Sequence, residues 1–119
     1  LGAAGLKKLE MARALATQPA MLLLDEVMGG LNPVESNEMI ALILQLRTRG
    51  VTLVVIEHDM RVVMNVSDQI TVLDFGKKIA EGDALAIRSN PLVIEAYLGR
   101  GAATGSNYGH REVAAAAGR

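Results

Sequence analysis

Two short apolar runs, each ending in groups that carry charge, limit most sharply how this chain can fold. Met21-Leu22-Leu23-Leu24 runs into Asp25-Glu26, and Val54-Val55-Ile56 runs into Glu57-His58. Neither run alternates apolar with polar residues, and turn signals bound both. That pattern suits strands of a parallel sheet covered on both faces by helices. In such sheets ligands bind beyond the carboxyl ends of the strands, so Asp25, Glu26 and His58 are expected along one edge. An acid that can hold a metal, a second acid free to act on water and an imidazole are parts suited to nucleotide hydrolysis.

The remaining punctuation fits an α/β order. Apolar residues at Leu6, Leu9, Ala12, Leu15 and Ala16 predict a helix over Leu6 to Thr17, stopped by Gln18-Pro19. Met21 to Asp25 is the first strand, and Gly29-Gly30 with Asn32-Pro33 marks a loop. Glu35 to Arg49 reads as a second helix, with acids in its first turn, arginines in its last and Gly50 just past its end. Val51 to Ile56 is the second strand, and Asp59 caps a short helix to about Val66. Ile70 to Leu73 and Lys77 to Ala80 form a hairpin around Asp74-Phe75-Gly76 at the sheet edge. Asp83 starts a helix over Ala84 to Arg88, and Asn90-Pro91 starts another with Asn as cap and Pro in the first turn. Residues 100–119, rich in Ala and Gly with little bulky apolar content, are expected to be a mobile tail.

Composition narrows the function classes. Half the residues are hydrophobic, 21% are charged and the net charge is -1, which gives no electrostatic reason to expect nucleic acid or an anionic membrane surface. One Phe and two Tyr cannot build a base-stacking platform. The absence of cysteine excludes disulfides and thiolate metal sites. No apolar stretch approaches bilayer length, so contact with a membrane is expected only through a partner.

Taken together, Leu9 to Pro19, Leu22 to Pro33, Ile56-Glu57-His58-Asp59-Met60, Lys78-Ile79-Ala80-Glu81-Gly82 and Asn90 to Gly99 resemble the nucleotide-binding subunit of ATP-binding cassette (ABC) transporters, specifically the branched-chain amino acid importer type. The ending Tyr97-Leu98-Gly99 favours that subgroup. The resemblance implies the C-terminal part of a P-loop NTPase, a parallel sheet flanked by helices over residues 1–99. The chain contains no Gly-x-x-x-x-Gly-Lys-Ser/Thr phosphate loop. In the family that loop, the adenine-stacking aromatic and the glutamine loop lie upstream of the matching region, so the chain is expected to be the C-terminal part of a larger protein.

The resemblance also implies roles. Asp25 looks like the Walker B aspartate, holding Mg²⁺ through water. Glu26 looks like the carboxylate that orients the attacking water, and His58 like the switch histidine that contacts the γ-phosphate. Gly30-Leu31-Asn32-Pro33 matches the D-loop at a dimer seam, with Asn32 where many relatives carry Asp. Gly2, Ala3, Ala4 and Gly5 occupy the place of the signature motif, which in the family reaches ATP bound by the opposite protomer from a helix N-terminus. Gly2 stands where Ser or Thr supplies a hydroxyl, and Ala3 and Ala4 where glycines are frequent.

The implied cofactors are ATP and Mg²⁺. The implied partners are a second ATPase subunit, in a homo- or heterodimer, transmembrane permease subunits and, indirectly, a periplasmic or extracellular substrate-binding protein. No nucleic acid is implied, and the implied place is peripheral, on the cytoplasmic face of the cell membrane. The alternative is a non-catalytic ABC-type dimerisation or regulatory module, motivated by Gly2 and the missing phosphate loop. Single features also have plainer readings. An acid pair after a strand can cap the next turn, a lone histidine is more often structural, and Lys7 and Lys8 read as a solvated helix face.

Overall fold

The computed structural model describes residues 2–99 and 111–117. In chain order these form α1 (Ala3–Leu15), β1 (Met21–Asp25), α2 (Pro33–Thr48), β2 (Thr52–Glu57), α3 (Met60–Val66), β3 (Gln69–Asp74), β4 (Lys77–Gly82), α4 (Ala84–Arg88), α5 (Pro91–Val93) and β5 (Arg111–Ala117). A π-helical turn, Ile94–Gly99, follows α5.

Local chemistry sets the helix limits. Asn32 accepts the Glu35 N–H at 2.8 Å ahead of Pro33 and so starts α2. Asp59, Asp83 and Asn90 do the same for α3, α4 and α5, accepting from Arg61, Ala86 and Leu92 at 2.9, 2.8 and 2.9 Å. Gly50 closes α2 with φ 87, a left-handed conformation that only glycine adopts without steric cost. Helix α1 starts three residues before the expected Leu6, with extended Gly2 as its cap, so Ala3, Ala4 and Gly5 form its first turn.

The sheet order is β1-β2-β5-β3-β4. Strands β1 and β2 are parallel, pairing Leu22 with Leu53 and Asp25 with Ile56. The parallel sheet expected from the apolar runs is realised at this pair, and the remaining pairings are antiparallel. Strands β3 and β4 form the expected hairpin, turning through Phe75 and Gly76 at φ 48 and 77. Two central residues with positive φ give the turn whose twist matches the flanking strands.

Two expectations are corrected. In place of a mobile tail, Arg111–Ala117 forms a strand between β2 and β3, with Ala115 paired to Val55 on one side and Ile70 on the other. The physical reason is that the facing edges of β2 and β3 present backbone N–H and C=O groups that require partners, and a ladder asks little of the side chains. The rest of the expected tail, residues 100–110 and 118–119, lies outside the described residues. The second correction concerns burial. Strand β1 was expected to be covered on both faces, but Met21 and Leu23 are 56% and 68% exposed while Leu22 and Leu24 are buried. Among the described residues, only one face of β1 is covered.

The core lies on that covered face. Leu22, Leu24, Leu53, Val55, Ile70 and Val72 of the sheet pack in one cluster with Met39, Ile43 and Leu46 of α2 and with Val62, Val63 and Val66 of α3. Each fully buried Leu or Ile contributes roughly 1.5–3 kcal/mol of transfer free energy. Met11, Met28 and Met39 are buried and Met60 and Met64 pack against the cluster, while Met21 is exposed. Tyr97 is buried in the π-helical turn and donates its hydroxyl to the Leu73 carbonyl at 2.8 Å, tying the Tyr97-Leu98-Gly99 ending to β3. Among the described residues, no helix is long and apolar enough to cross a membrane.

Candidate active site

The parallel register of β1 and β2 places their carboxyl ends side by side, and the expected residues stand there. Asp25 ends β1 as an exposed residue paired to Ile56. Glu26 donates its backbone N–H to the Ile56 carbonyl at 2.8 Å, so it remains hydrogen-bonded to the neighbouring strand. Its φ of 50 turns the chain out of the strand in a conformation disfavoured for residues with a Cβ. His58 follows β2 directly, and its Nδ1 lies 3.8 Å from Glu26 Oε1, with both side chains about half exposed. That separation is an electrostatic contact when the imidazole is protonated, and too long for a hydrogen bond.

The loop leading from Glu26 into α2 is held from two sides and by its own backbone. Lys7 of α1 donates from Nζ to the Gly29 carbonyl at 2.5 Å, and reaches the Glu26 carbonyl at 3.5 Å. Lys7 is therefore not the solvated residue its sequence context suggests, whereas Lys8 makes an exposed pair with Glu38 at 3.2 Å. Within the loop, Leu31 donates to the Met28 carbonyl at 3.2 Å. From the sheet, Glu57 Oε1 accepts the Met28 N–H at 3.2 Å.

Glu57 was missed by motif reading, which passed from Ile56 to His58 without giving it a role. It is 1% exposed, among the most buried side chains of the molecule. Burial pushes its carboxyl above the usual glutamate range, and the Glu26 carboxylate adds to this. The backbone N–H groups of Met28 and His58 and the His58 ring pull it back. The signal was available in strand phase: Leu53, Val55 and Glu57 are two residues apart, so Glu57 faces the core. Beside it a cleft of about 230 Å³ is lined by Met28, Gly29, Leu31, Ser36, Glu57 and His58, among others.

The remaining predicted site residues fall elsewhere. The first turn of α1 lies against the glycine loop, where a Cβ built at Gly30 meets the Ala3 methyl at 3.8 Å. Gly2 offers no side-chain cap to α1, and the first turn carries no acid. Asn32 is engaged locally, donating to Glu35 Oε1 at 2.6 Å as well as accepting the Glu35 N–H. Among the described residues, no cluster of three or more His, Cys, Asp or Glu side chains could hold a metal ion. Asp25 is a single exposed carboxylate, which fits a hard cation that keeps most of its own waters.

Comparison with known proteins defines the class. Two solved cassettes of ABC transporters superpose with a TM-score of 0.73. One, in its ADP conformation, is 34% identical, with 83% of this chain and 41% of that chain covered. The other, nucleotide-free, is 32% identical, with 82% and 40% covered. The matching part of the chain is thus similar in sequence and in fold to ATP-binding cassettes of ABC transporters.

The family model described as the branched-chain amino acid ATP-binding cassette transporter matches residues 77–103. The chain is 49% identical over 94 residues to the high-affinity branched-chain amino acid transport ATP-binding protein BraF of Pseudomonas aeruginosa, covering 78% of this chain and 37% of that protein. LivG of Escherichia coli gives the same figures. The probable LivG of Archaeoglobus fulgidus is 40% identical over 79% of this chain and 37% of its own length. The chain thus spans little more than a third of the length of the curated relatives it matches.

Proposed function

We propose that this chain supplies the water-orienting half of an ATP hydrolysis site in an ATPase subunit that drives import of branched-chain or related amino acids. The carrying observation is the meeting of Asp25, Glu26 and His58 at the carboxyl ends of the parallel pair, with Glu26 turned out of its strand and 3.8 Å from His58. Glu26, held by its backbone on Ile56 with its carboxylate half exposed, orients water by accepting a hydrogen bond from the water O–H. His58 is placed to donate to charge that develops on a phosphoryl group. Asp25 is the carboxylate that would hold Mg²⁺ through water, and when bound that ion neutralises phosphate charge. The partners under this reading are a second ATPase subunit, permease subunits and, through them, a substrate-binding protein, with the ATPase peripheral at the cytoplasmic membrane face.

The test is an ATPase in which this chain replaces the 94 matching residues of the Pseudomonas relative. Glu26→Gln is expected to keep ATP binding, abolish turnover and accumulate an ATP-bound dimer on size exclusion. Unchanged turnover in that variant would end the reading.

A second reading, a non-catalytic dimerisation or regulatory module, draws on Gly2, whose helix cap offers no hydroxyl. It predicts that the same graft binds ATP and dimerises without hydrolysis while Glu26 is intact.

A further inference from the structure

A buried carboxylate is costly unless the groups around it use its charge or its hydrogen-bonding capacity. Glu57 is the only glutamate or aspartate among the buried described residues, and two flanking segments meet it. One is the loop from Glu26 to α2, whose Met28 N–H it accepts at 3.2 Å while the Met28 side chain is itself buried. The other is the chain at His58, whose backbone N–H also stabilises the carboxylate. The two segments carry the residues assigned to water and to phosphate. They have two further contacts near the site, the Glu26 N–H on the Ile56 carbonyl, which fixes where the loop starts, and the 3.8 Å approach of the Glu26 and His58 side chains; the course of the loop beyond Val27 is left to other contacts.

We infer that Glu57 is a positioning residue, whose buried carboxylate clasps the Met28 backbone and thereby sets where the glycine loop and Glu26 stand relative to His58. This rests on the hydrolytic reading above. Glu57 itself lies behind the site, on the core face of β2, and acts through the backbone of the two segments. An apolar residue of the same length fills the space and leaves the Met28 N–H buried without a partner. A glutamine fills the space and keeps an acceptor oxygen.

Two variants separate these terms: Glu57→Gln and Glu57→Met. In the 119-residue chain, amide exchange at Met28 is the first readout. Protection close to wild type is expected in Glu57→Gln, and loss of protection at Met28 in Glu57→Met with the core amides of β2 still protected. In the grafted ATPase, Glu57→Met is expected to lower kcat roughly tenfold to a hundredfold with little change in KM for ATP, and Glu57→Gln to restore most of it. Equal protection of Met28 in both variants, or a wild-type kcat in Glu57→Met while Glu26→Gln is inactive, overturns the inference and leaves the hydrolytic reading standing. If Glu57→Met fails to fold, Glu57→Gln decides: lost Met28 protection or lost kcat there overturns the inference. Turnover that survives Glu26→Gln instead sinks the hydrolytic reading, and the amide exchange result stands apart from it.

Discussion

At the scale of single residues, the site joins a strained backbone to a buried charge. Glu26 holds φ 50, and glycine adopts that conformation without steric cost. Glu26→Gly is therefore expected to raise unfolding free energy by about 1 kcal/mol in urea titration, even though it removes the carboxylate. Glu57 gives a pH signature. Its carboxyl is raised in the folded chain, chiefly by burial, so the folded state holds that proton more tightly than the unfolded state. The sign is opposite to that of an ordinary paired carboxylate: stability is greatest below the usual glutamate range and declines as pH rises through it toward the raised value. Glu57→Gln removes this decline, and thermal unfolding midpoints of variant and wild type should converge at low pH and separate above it. Asp25, Glu26 and His58 were legible because each ends or follows an apolar run. Glu57 was hidden in the same run because its meaning depends on strand phase, which the unbroken apolar pattern conceals.

At the scale of elements, capping side chains were readable because a cap speaks to a backbone two or three residues away. Asp59, Asp83 and Asn90 sit where such chemistry requires, whereas Asn32 was read as part of a loop and caps a helix that begins at Pro33, two residues before the expected Glu35. The hairpin at Phe75-Gly76 follows from the same local logic, and Gly76→Val is expected to destabilise by about 1 kcal/mol or more by forcing a β-branched residue to φ 77. Contacts between distant elements were not readable. The Tyr97 hydroxyl reaches β3 from the far side of α4 and α5, and Tyr97→Phe should cost about 1 kcal/mol in chemical denaturation. Lys7 likewise reads as a surface residue from its neighbours in sequence, and only the approach of α1 to the glycine loop gives it carbonyls to bind.

At the scale of the whole molecule, the chain provides one strand-end site and contains no phosphate-cradling loop of the Gly-x-x-x-x-Gly-Lys-Ser/Thr type. The purified 119-residue chain is accordingly expected not to hydrolyse Mg-ATP, and a phosphate-release assay showing turnover that disappears with Asp25→Ala would contradict this. The fold class was legible because alternating strand and helix signals leave few architectures open. The centre of the sheet was not, since four consecutive alanines state no preference for a strand and their partners lie far away in sequence.

The place of β5 has a consequence in time. Among the described residues, strands β2 and β3 are joined in the sheet only through Arg111–Ala117, so the middle of this five-stranded sheet is synthesised after the four strands around it. Helices α1 and α2 and the β1–β2 pair can form while synthesis continues, but the two sides of the sheet stay apart until Ala117 is available to pair with Leu53. Joining β2 to β3 therefore waits on pairings that are distant in sequence, and pairings of that kind are the slow ones.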